Sequence, residues 1–136
     1  MSQSPKNRKK NANPKPSLPP AVVWSVRAVF AVVAIILLTL AWQEFQVKQA
    51  FSATNNAWQS ALRSKGENAE LTKSEFSKIP LKGSPVVTTE KAGPNSFAAV
   101  SVDTYTWKGK LRSYAVKVYF GLGNDPSVEQ VEVVGN

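Results

Sequence analysis

The chain has 136 residues, of which 43% are hydrophobic, and this length suits one modest core plus an appendage. It contains no histidine and no cysteine, which excludes disulfides, thiolate zinc sites, cysteine nucleophiles and a Ser-His-Asp relay. Seventeen Lys and Arg residues against nine Asp and Glu give a formal net charge of +8. The composition therefore predicts a protein that is not an enzyme and holds no cofactor or metal, and its positive charge needs an explanation.

Most of that positive charge lies in residues 1–20. Five of the 17 cations are found there, together with five prolines and no acidic residue. Such a segment buries too little apolar surface to offset the entropy of ordering, so it is predicted to be disordered. A basic arm that contacts nucleic acid or lipid is one interpretation. The sequence that follows favours another, in which this segment is the cytoplasmic flank of a membrane helix.

Residues 21–43 are predicted to form a transmembrane helix. The run from Ala21 to Trp42 contains one charge, Arg27, and no Gly or Pro. As a helix it is roughly 33 Å long, which matches the roughly 30 Å hydrocarbon core of a bilayer. Trp24 and Trp42 lie near its two ends, where indole rings favour the membrane interfaces. Arg27 is predicted to snorkel to the headgroups; the alternative is an intramembrane charge that awaits an acidic partner.

The flanking charges predict the orientation of this helix. Five cations precede it, whereas the ten residues after it carry only Glu44 and Lys48. The positive-inside rule then places the N-terminus in the cytoplasm and the C-terminal residues outside. A signal peptide cleaved after Ala41 is the alternative, but the long basic segment and the long apolar run favour an uncleaved signal-anchor in the cell membrane.

A second helical pattern covers residues 44–66. Its larger apolar residues recur on one face at helical spacing: Val47, Phe51, Trp58 and Leu62. Gly66 is a candidate C-terminal cap. We expect this juxtamembrane amphipathic helix to pack on its own domain; a site for a partner protein is the alternative.

Residues 67–136 are predicted to form an extracytoplasmic α+β domain. Thr72 and Glu75 have the spacing of a capping box, which predicts a short helix that ends before Pro80. Segments rich in β-branched and aromatic residues then predict strands at 86–90, 97–107, 111–120 and 128–134. The predicted fold class is α+β: one N-terminal transmembrane helix, then two helices packed on an antiparallel sheet of three or four strands.

The central strands also carry a candidate interaction surface of aromatic and basic residues: Tyr105, Trp107, Lys108 and Lys117. Such a mixture can hold an anionic polymer or a sugar, but on strands it is more typical of core aromatics with a solvated basic face. The enzymatic alternative is a carboxylate pair from Asp103 with Glu129 or Glu132. Acids that face lysines across neighbouring strands are the simpler interpretation.

Four short motifs follow one another between about residues 66 and 134. They are the capped helix Thr72–Phe76, the turn Gly83–Pro85, the aromatic segment Tyr105–Trp107 and the strand Ala115–Phe120. Together they resemble the SmpA/OmlA (BamE-like) domain. The resemblance implies an α/β sandwich with an antiparallel sheet that serves as a non-catalytic protein-binding module in the envelope. Members of the assembly-machine type are lipoproteins with an N-terminal Cys, which this chain lacks, so their location and partner are not transferred.

These features predict a single-pass membrane protein that presents a small non-catalytic protein-interaction or assembly domain outside the cytoplasm. Its expected partners are the lipid bilayer and another envelope or membrane protein, with no nucleic acid, and its oligomeric state is left open. The alternative is an envelope ligand-binding or polymer-processing domain. A deep pocket lined by Asp103, Tyr105 and Trp107 would favour that alternative.

Overall fold

The computed structural model describes residues 19–66, 70–94 and 99–135. The elements in this part of the chain are α1 (Pro20–Ser64), α2 (Lys73–Ser77), β1 (Val86–Lys91), β2 (Ser101–Lys108), β3 (Ser113–Phe120) and β4 (Val128–Val134). Of the segment predicted to be disordered, residues 1–18 lie outside the described residues. Residues 97 and 98, the first two of the strand predicted from residue 97, also lie outside them. The layout is α+β, as predicted.

α1 is one continuous helix of 45 residues. The helical patterns of residues 21–43 and 44–66 thus continue into each other, because no Gly or Pro between residues 21 and 65 interrupts the backbone. The helix also passes through Asn55, a poor helix former, since Trp58 one turn later is fully buried and holds the segment in place. It ends at Ser64, and Gly66 has a φ of 77°, the left-handed conformation expected of the predicted C-terminal cap.

α1 contributes residues to two compact units, one that ends at Ile36 and one that begins at Leu37. In the first unit the apolar side chains are exposed: Trp24 is 69% exposed and Phe30 71%. The hydroxyl of Ser25 donates a hydrogen bond to the carbonyl of Ala21 at 2.8 Å, so this polar group is satisfied within the helix. Within the described residues, α1 is the one helix long and apolar enough to cross a membrane.

The second unit contains a four-stranded antiparallel sheet with the strand order β1-β2-β3-β4. β2 and β3 form an antiparallel hairpin, in which Ser101 lies opposite Phe120 and Lys108 opposite Ser113. β3 begins at Ser113 rather than at Leu111, because the turn that precedes it is closed by a 2.8 Å hydrogen bond from the N–H of Gly109 to the carbonyl of Arg112. β4 has the predicted bounds, and β1 extends one residue beyond them.

The core lies between one face of this sheet and the helices. The predicted alternation brings three residues of β3 to this face, all fully buried: Val116, Val118 and Phe120. Trp58 of α1 packs there, with its ring centroid 4.8 Å from that of Phe76 and 4.9 Å from that of Tyr105. The predicted apolar face of residues 44–66 packs against the same cluster, so this part of α1 packs on its own domain as expected.

From Glu44 to its end at Ser64, α1 crosses the sheet from one end to the other. The carboxylate of Glu44 accepts a hydrogen bond at 3.2 Å from the N–H of Leu111, in the turn between β2 and β3. At the other end, Lys65 Nζ lies 2.6 Å from Glu75 Oε1 in α2. We call these the hairpin end and the α2 end of the domain.

α2 is a short helix with the predicted capping box. The N–H of Glu75 donates to Thr72 Oγ1 at 3.4 Å, and the N–H of Thr72 donates to the Glu75 carboxylate at 3.2 Å. Phe76, directly after Glu75 in this helix, is 3% exposed. The carboxylate of Asp125 also accepts a hydrogen bond from the N–H of Ser74 at 2.9 Å. The loop between β3 and β4 therefore adds a second cap to α2.

This network predicts that the domain loses stability in acid partly through Glu75. Hydrogen bonds from Lys65 and from the N–H of Thr72 lower the pKa of Glu75 below its ordinary value of 4.5. A carboxyl whose pKa is lower in the folded state than in the unfolded state stabilises the fold when the pH is above its unfolded-state pKa. That contribution is lost as the pH falls through the folded-state pKa. Glu75→Gln retains the capping pattern without the charge. We expect the variant to lose less stability than the wild type below pH 4.5.

Urea unfolding of the 136-residue chain in detergent, followed from neutral pH to about pH 3, measures this difference. Glu70→Gln, at an exposed acid just before α2, is the matched control and should follow the wild type. If the unfolding free energies of the wild type and Glu75→Gln fell equally as the pH was lowered, the prediction would be contradicted.

Candidate interaction site

The predicted membrane-anchor residues all lie on α1 and are exposed. Trp24 is 69% exposed and Trp42 63% exposed, and Arg27 is also exposed. The ring of Trp42 lies beside that of Phe45, with centroids 6.2 Å apart. These side chains are therefore available to lipid rather than packed in a protein core.

The four residues of the predicted interaction surface do not form one surface. Tyr105 and Trp107 lie on the helix-facing side of β2; Trp107 is only 3% exposed, and its Nε1 donates to the carbonyl of Lys82 at 2.8 Å. Lys117 lies on the opposite side of the sheet, since it alternates with the buried Val116 and Val118. Trp107 and Lys108 do come together, because both line a groove at the hairpin end.

This groove has a volume of about 740 Å³ and three walls. One wall is a stretch of α1 between Gln46 and Asn56, another is the segment Lys82–Ser84, and the third is the end of β2. Along α1 the lining combines small side chains with amides, among them Ala50, Ala53 and Gln49. The volume is in the range of sites that hold small ligands or a short peptide segment.

Gly83 sets the distance between two of these walls. Its φ of 72° is a left-handed conformation that favours glycine. A Cβ at this position would lie 3.1 Å from the Cβ of Ala50 and 3.5 Å from Cδ1 of Trp107. The segment approaches α1 closely because neither Gly83 nor Ala50 has a long side chain. The N–H of Lys82 also donates to Thr54 Oγ1 at 2.9 Å, which fixes this segment to the helix.

The hairpin end carries an excess of positive charge. The strand register and the Trp107–Lys82 hydrogen bond place these cations there: Lys82, Lys108, Lys110 and Arg112. The carboxylate beside them is Glu44, which is already a hydrogen-bond acceptor for the Leu111 N–H. The groove residues themselves include Lys82 and Lys108 but no Asp or Glu. An anionic group in the groove would therefore meet cations without a competing carboxylate.

Asp103 lies away from this groove, toward the α2 end. It is 4% exposed, accepts a hydrogen bond from Thr89 Oγ1 at 2.7 Å, and forms an ion pair with Lys73 Nζ at 3.1 Å. Lys73 Nζ also lies 4.5 Å from the centre of the Phe120 ring. Burial, together with the charge of Asp103, raises the pKa of Tyr105. Asp103 thus connects β1, β2 and α2, and neither it nor Tyr105 lines the groove.

The carboxylate pairs that were weighed for glycoside hydrolysis do not assemble. Asp103 lies opposite Val118 on the helix-facing side, whereas Glu132 lies opposite Lys117 on the other side. Glu129 is on β4, two strands from Asp103 and two residues along the strand from Val131, which is in register with Asp103, so the two backbone positions are about 12 Å apart. The residues that the structure describes contain no group of three or more His, Cys, Asp or Glu able to hold a metal ion.

The sheet face away from the helices carries polar residues on β3 and β4. Lys117 and Glu132 lie directly opposite each other there, as expected for acids that face lysines across strands. The hydroxyl of Tyr119 donates to Glu132 at 2.9 Å, and this hydrogen bond raises the pKa of Tyr119. We interpret this face as a solvated surface.

Several groove residues were not identified from the sequence. Gln49, Ala53 and Asn56 lie outside the predicted apolar face of the helix and had no predicted role. The turn Gly83–Pro85 was recognised from the sequence, and it is the one local signal that pointed to this region. Nothing in the local pattern indicates which helix residues that turn approaches.

Comparison with models of protein families, with curated proteins and with solved structures finds no match for this chain. The resemblance of residues 66–134 to the BamE-like domain therefore stays a prediction, and what the site can do has to be argued from its own geometry.

Gly83 and Gly66 form a matched pair for testing how the groove is built. Both have a positive φ, 72° and 77°, but an added Cβ contacts Ala50 only at Gly83 and meets nothing within 4 Å at Gly66. We expect Gly66→Ala to cost about 1–2 kcal/mol of unfolding free energy through backbone strain alone. Gly83→Ala should cost more, since the segment must also move away from α1.

Urea unfolding of both variants measures the two losses, and the near-ultraviolet circular dichroism of the folded state reports on the Trp107 environment. The dichroism should change for Gly83→Ala and not for Gly66→Ala. Equal losses with unchanged spectra would show that the close approach to Ala50 contributes nothing.

Proposed function

We propose that this chain is a single-pass membrane protein with a cytoplasmic N-terminus, and that its domain from about residue 44 to 136 is a non-catalytic protein-interaction or assembly module outside the cytoplasm. The proposal combines an apolar helix without a protein cover, a basic segment on one side of it and a sheet with an open edge strand. The edge strand β1 carries the interaction part of the proposal.

The exposed apolar residues of α1 support a place in the membrane. Phe30, Ile35 and Leu38 are each more than 60% exposed. Full burial of one such side chain is favourable by about 1.5–3 kcal/mol, so a run of them exposed to water is costly. Lipid provides the cover, and a helix satisfies its own backbone hydrogen bonds there.

The charge distribution supports the orientation. Residues 1–20 carry five cations and no acid, which is the pattern of a cytoplasmic flank. Arg27 lies on the same side of the apolar run, and its long side chain can reach the headgroups on that side. The same segment then contacts the anionic cytoplasmic leaflet, and no nucleic acid is needed to explain its charge.

β1 supports protein interaction. All six of its residues are exposed, and among the described strands it pairs only with β2. Val87 lies on the helix-facing side, opposite Tyr105, and yet is 48% exposed, so the helix layer does not extend over β1. An edge strand with free N–H and C=O groups and β-branched side chains is a template for pairing with a strand of another protein.

A ligand-binding domain for envelope polymers is the second candidate function, and the groove is the observation that favours it. Its volume of about 740 Å³ is sufficient for a sugar or a short polymer segment. A pocket lined by Asp103, Tyr105 and Trp107 would have favoured this function most. The groove is lined by Trp107 but not by Asp103 or Tyr105. We therefore rank this function second.

Membrane anchoring predicts that the chain resists extraction by carbonate and by high salt. In sealed vesicles with the cytoplasmic side enclosed, external protease should degrade the domain and leave a protected fragment that contains the basic N-terminus. The intact mass should retain residues 1–41. A soluble protein, or a mature species that begins at Trp42, would contradict the anchor.

The interaction function predicts that β1 contacts a partner in native membranes. A photo-crosslinking residue in place of Thr88 should form adducts with another protein, and Val87→Lys should reduce their yield severalfold because a charge at the edge opposes strand pairing. Stability should change by no more than about 0.5 kcal/mol, as expected at an exposed position.

Leu122→Lys is the matched control, because Leu122 is 85% exposed and lies outside the strands. It should leave the adduct yield unchanged. An absence of adducts at Thr88, or an equal loss in both lysine variants, would contradict a role for β1 in partner binding.

A further inference from the structure

We infer that the groove at the hairpin end binds an acidic peptide segment of a partner protein. This inference rests on the proposed function, since it assigns a second contact to the protein that the domain binds. The inference stands on the shape of the groove, the charge around it and the exposure of the groups that line it.

The shape of the groove suits a peptide backbone. Ala50 and Ala53 lie on the α1 wall, and their short side chains allow a main chain to approach the helix closely. Side-chain amides on the same wall, Gln46, Gln49 and Asn56, can donate to peptide carbonyls and accept from peptide N–H groups. The opposite wall, Lys82–Ser84, leads into β1, so a segment in the groove lies next to the start of the open edge strand.

The charge of the groove selects an acidic segment. Lys82 and Lys108 line it and are exposed, and the groove residues include no carboxylate. Lys110 and Arg112 lie in the adjoining turn between β2 and β3. Among the described residues, the pairs Lys65–Glu75 and Lys73–Asp103 neutralise cations at the α2 end instead. The positive potential is therefore concentrated where the groove opens, which favours and steers an anionic ligand.

Trp107 argues against a sugar as the occupant. Sugar sites usually offer an aromatic face, but Trp107 is 3% exposed and its ring is packed against Phe51 and Trp58. Its Nε1 is also occupied, because it donates to the carbonyl of Lys82. What the groove presents is amides, small apolar groups and two ammonium groups, which match the main chain and the carboxylates of an acidic peptide.

The test measures binding of a fluorescent decapeptide of alternating Glu and Ser to the 136-residue chain in nanodiscs of zwitterionic phosphatidylcholine. We expect saturable binding that weakens with added salt. The double variant Lys82→Ser with Lys108→Ser should weaken it about tenfold, since each exposed ion pair contributes up to about a fivefold effect. Ala53→Trp, which fills the groove without a change of charge, should also weaken it.

The matched control is Lys78→Ser with Lys91→Ser, which removes the same charge from two exposed lysines toward the α2 end. It should leave peptide binding within about twofold of the wild type. An equal loss in this control, or no loss with Ala53→Trp, would show that the peptide is attracted by net charge and not by the groove, and would overturn the inference.

Two further probes separate the occupants. A decapeptide with Gln in place of Glu should bind at least tenfold more weakly. The second probe is oligogalacturonate. If it bound with higher affinity than the peptide, and bound through Lys82 and Lys108, it would overturn the inference in favour of an acidic glycan. Peptide binding that disappears in nanodiscs containing anionic phosphatidylglycerol would overturn it in favour of lipid headgroups.

A failure of the groove inference can be distinguished from a failure of the proposed function. If the crosslinker at Thr88 captures a partner while the Lys82 and Lys108 variants change neither its yield nor peptide binding, the module function stands and the groove inference is wrong. If a crosslinker at Ala53 captures a segment, its sequence should be acidic. A neutral or basic segment would overturn the inference.

Discussion

The packing of Trp58 is the interaction on which the rest of the domain depends. Its side chain is fully buried and contacts Phe76 of α2 together with Tyr105 and Trp107 of β2. Trp58 Nε1 has no hydrogen-bond partner among the described residues, which costs about 1–3 kcal/mol. The contacts of this large ring offset that cost, so packing and not polarity fixes how α1 crosses the sheet. The groove follows from it, because Trp107 in turn holds the carbonyl of Lys82.

Features that depend on neighbours in the sequence were predictable. The alternation that buries Val118 and Phe120 is a period of two along one strand, and the capping box of Thr72 and Glu75 needs only residues three apart. The end of α1 at Gly66 depends on a backbone conformation that glycine adopts most easily. Each of these patterns lies within one helix or strand, so the structure it predicts depends little on tertiary contacts. The apolar run of α1 was predictable for the same reason, since its length and composition alone indicate a helix that can cross a membrane.

Features that depend on distant residues were not predictable in the same way. The carboxylate of Asp125 caps the N–H of Ser74, 51 residues earlier, and nothing local to either residue indicates the other. The approach of Gly83 to Ala50 likewise joins a turn to a helix 33 positions away along the chain numbering. For Trp107 the composition indicated both a core and a binding role. Its burial assigns it to the core, and only its neighbour Lys108 reaches an exposed surface.

The sheet of this domain is wider than the layer of helices that covers it. Val116 on β3 is fully buried, whereas Val87 on β1 is 48% exposed on the same face. β1 therefore gains little from burial and depends on its hydrogen bonds to β2 and on the contact between Thr89 and Asp103. A protein that pairs with β1 would supply the missing neighbours, and binding to the folded state alone would stabilise the strand by mass action. The same incompleteness that limits the core thus leaves the edge of β1 open.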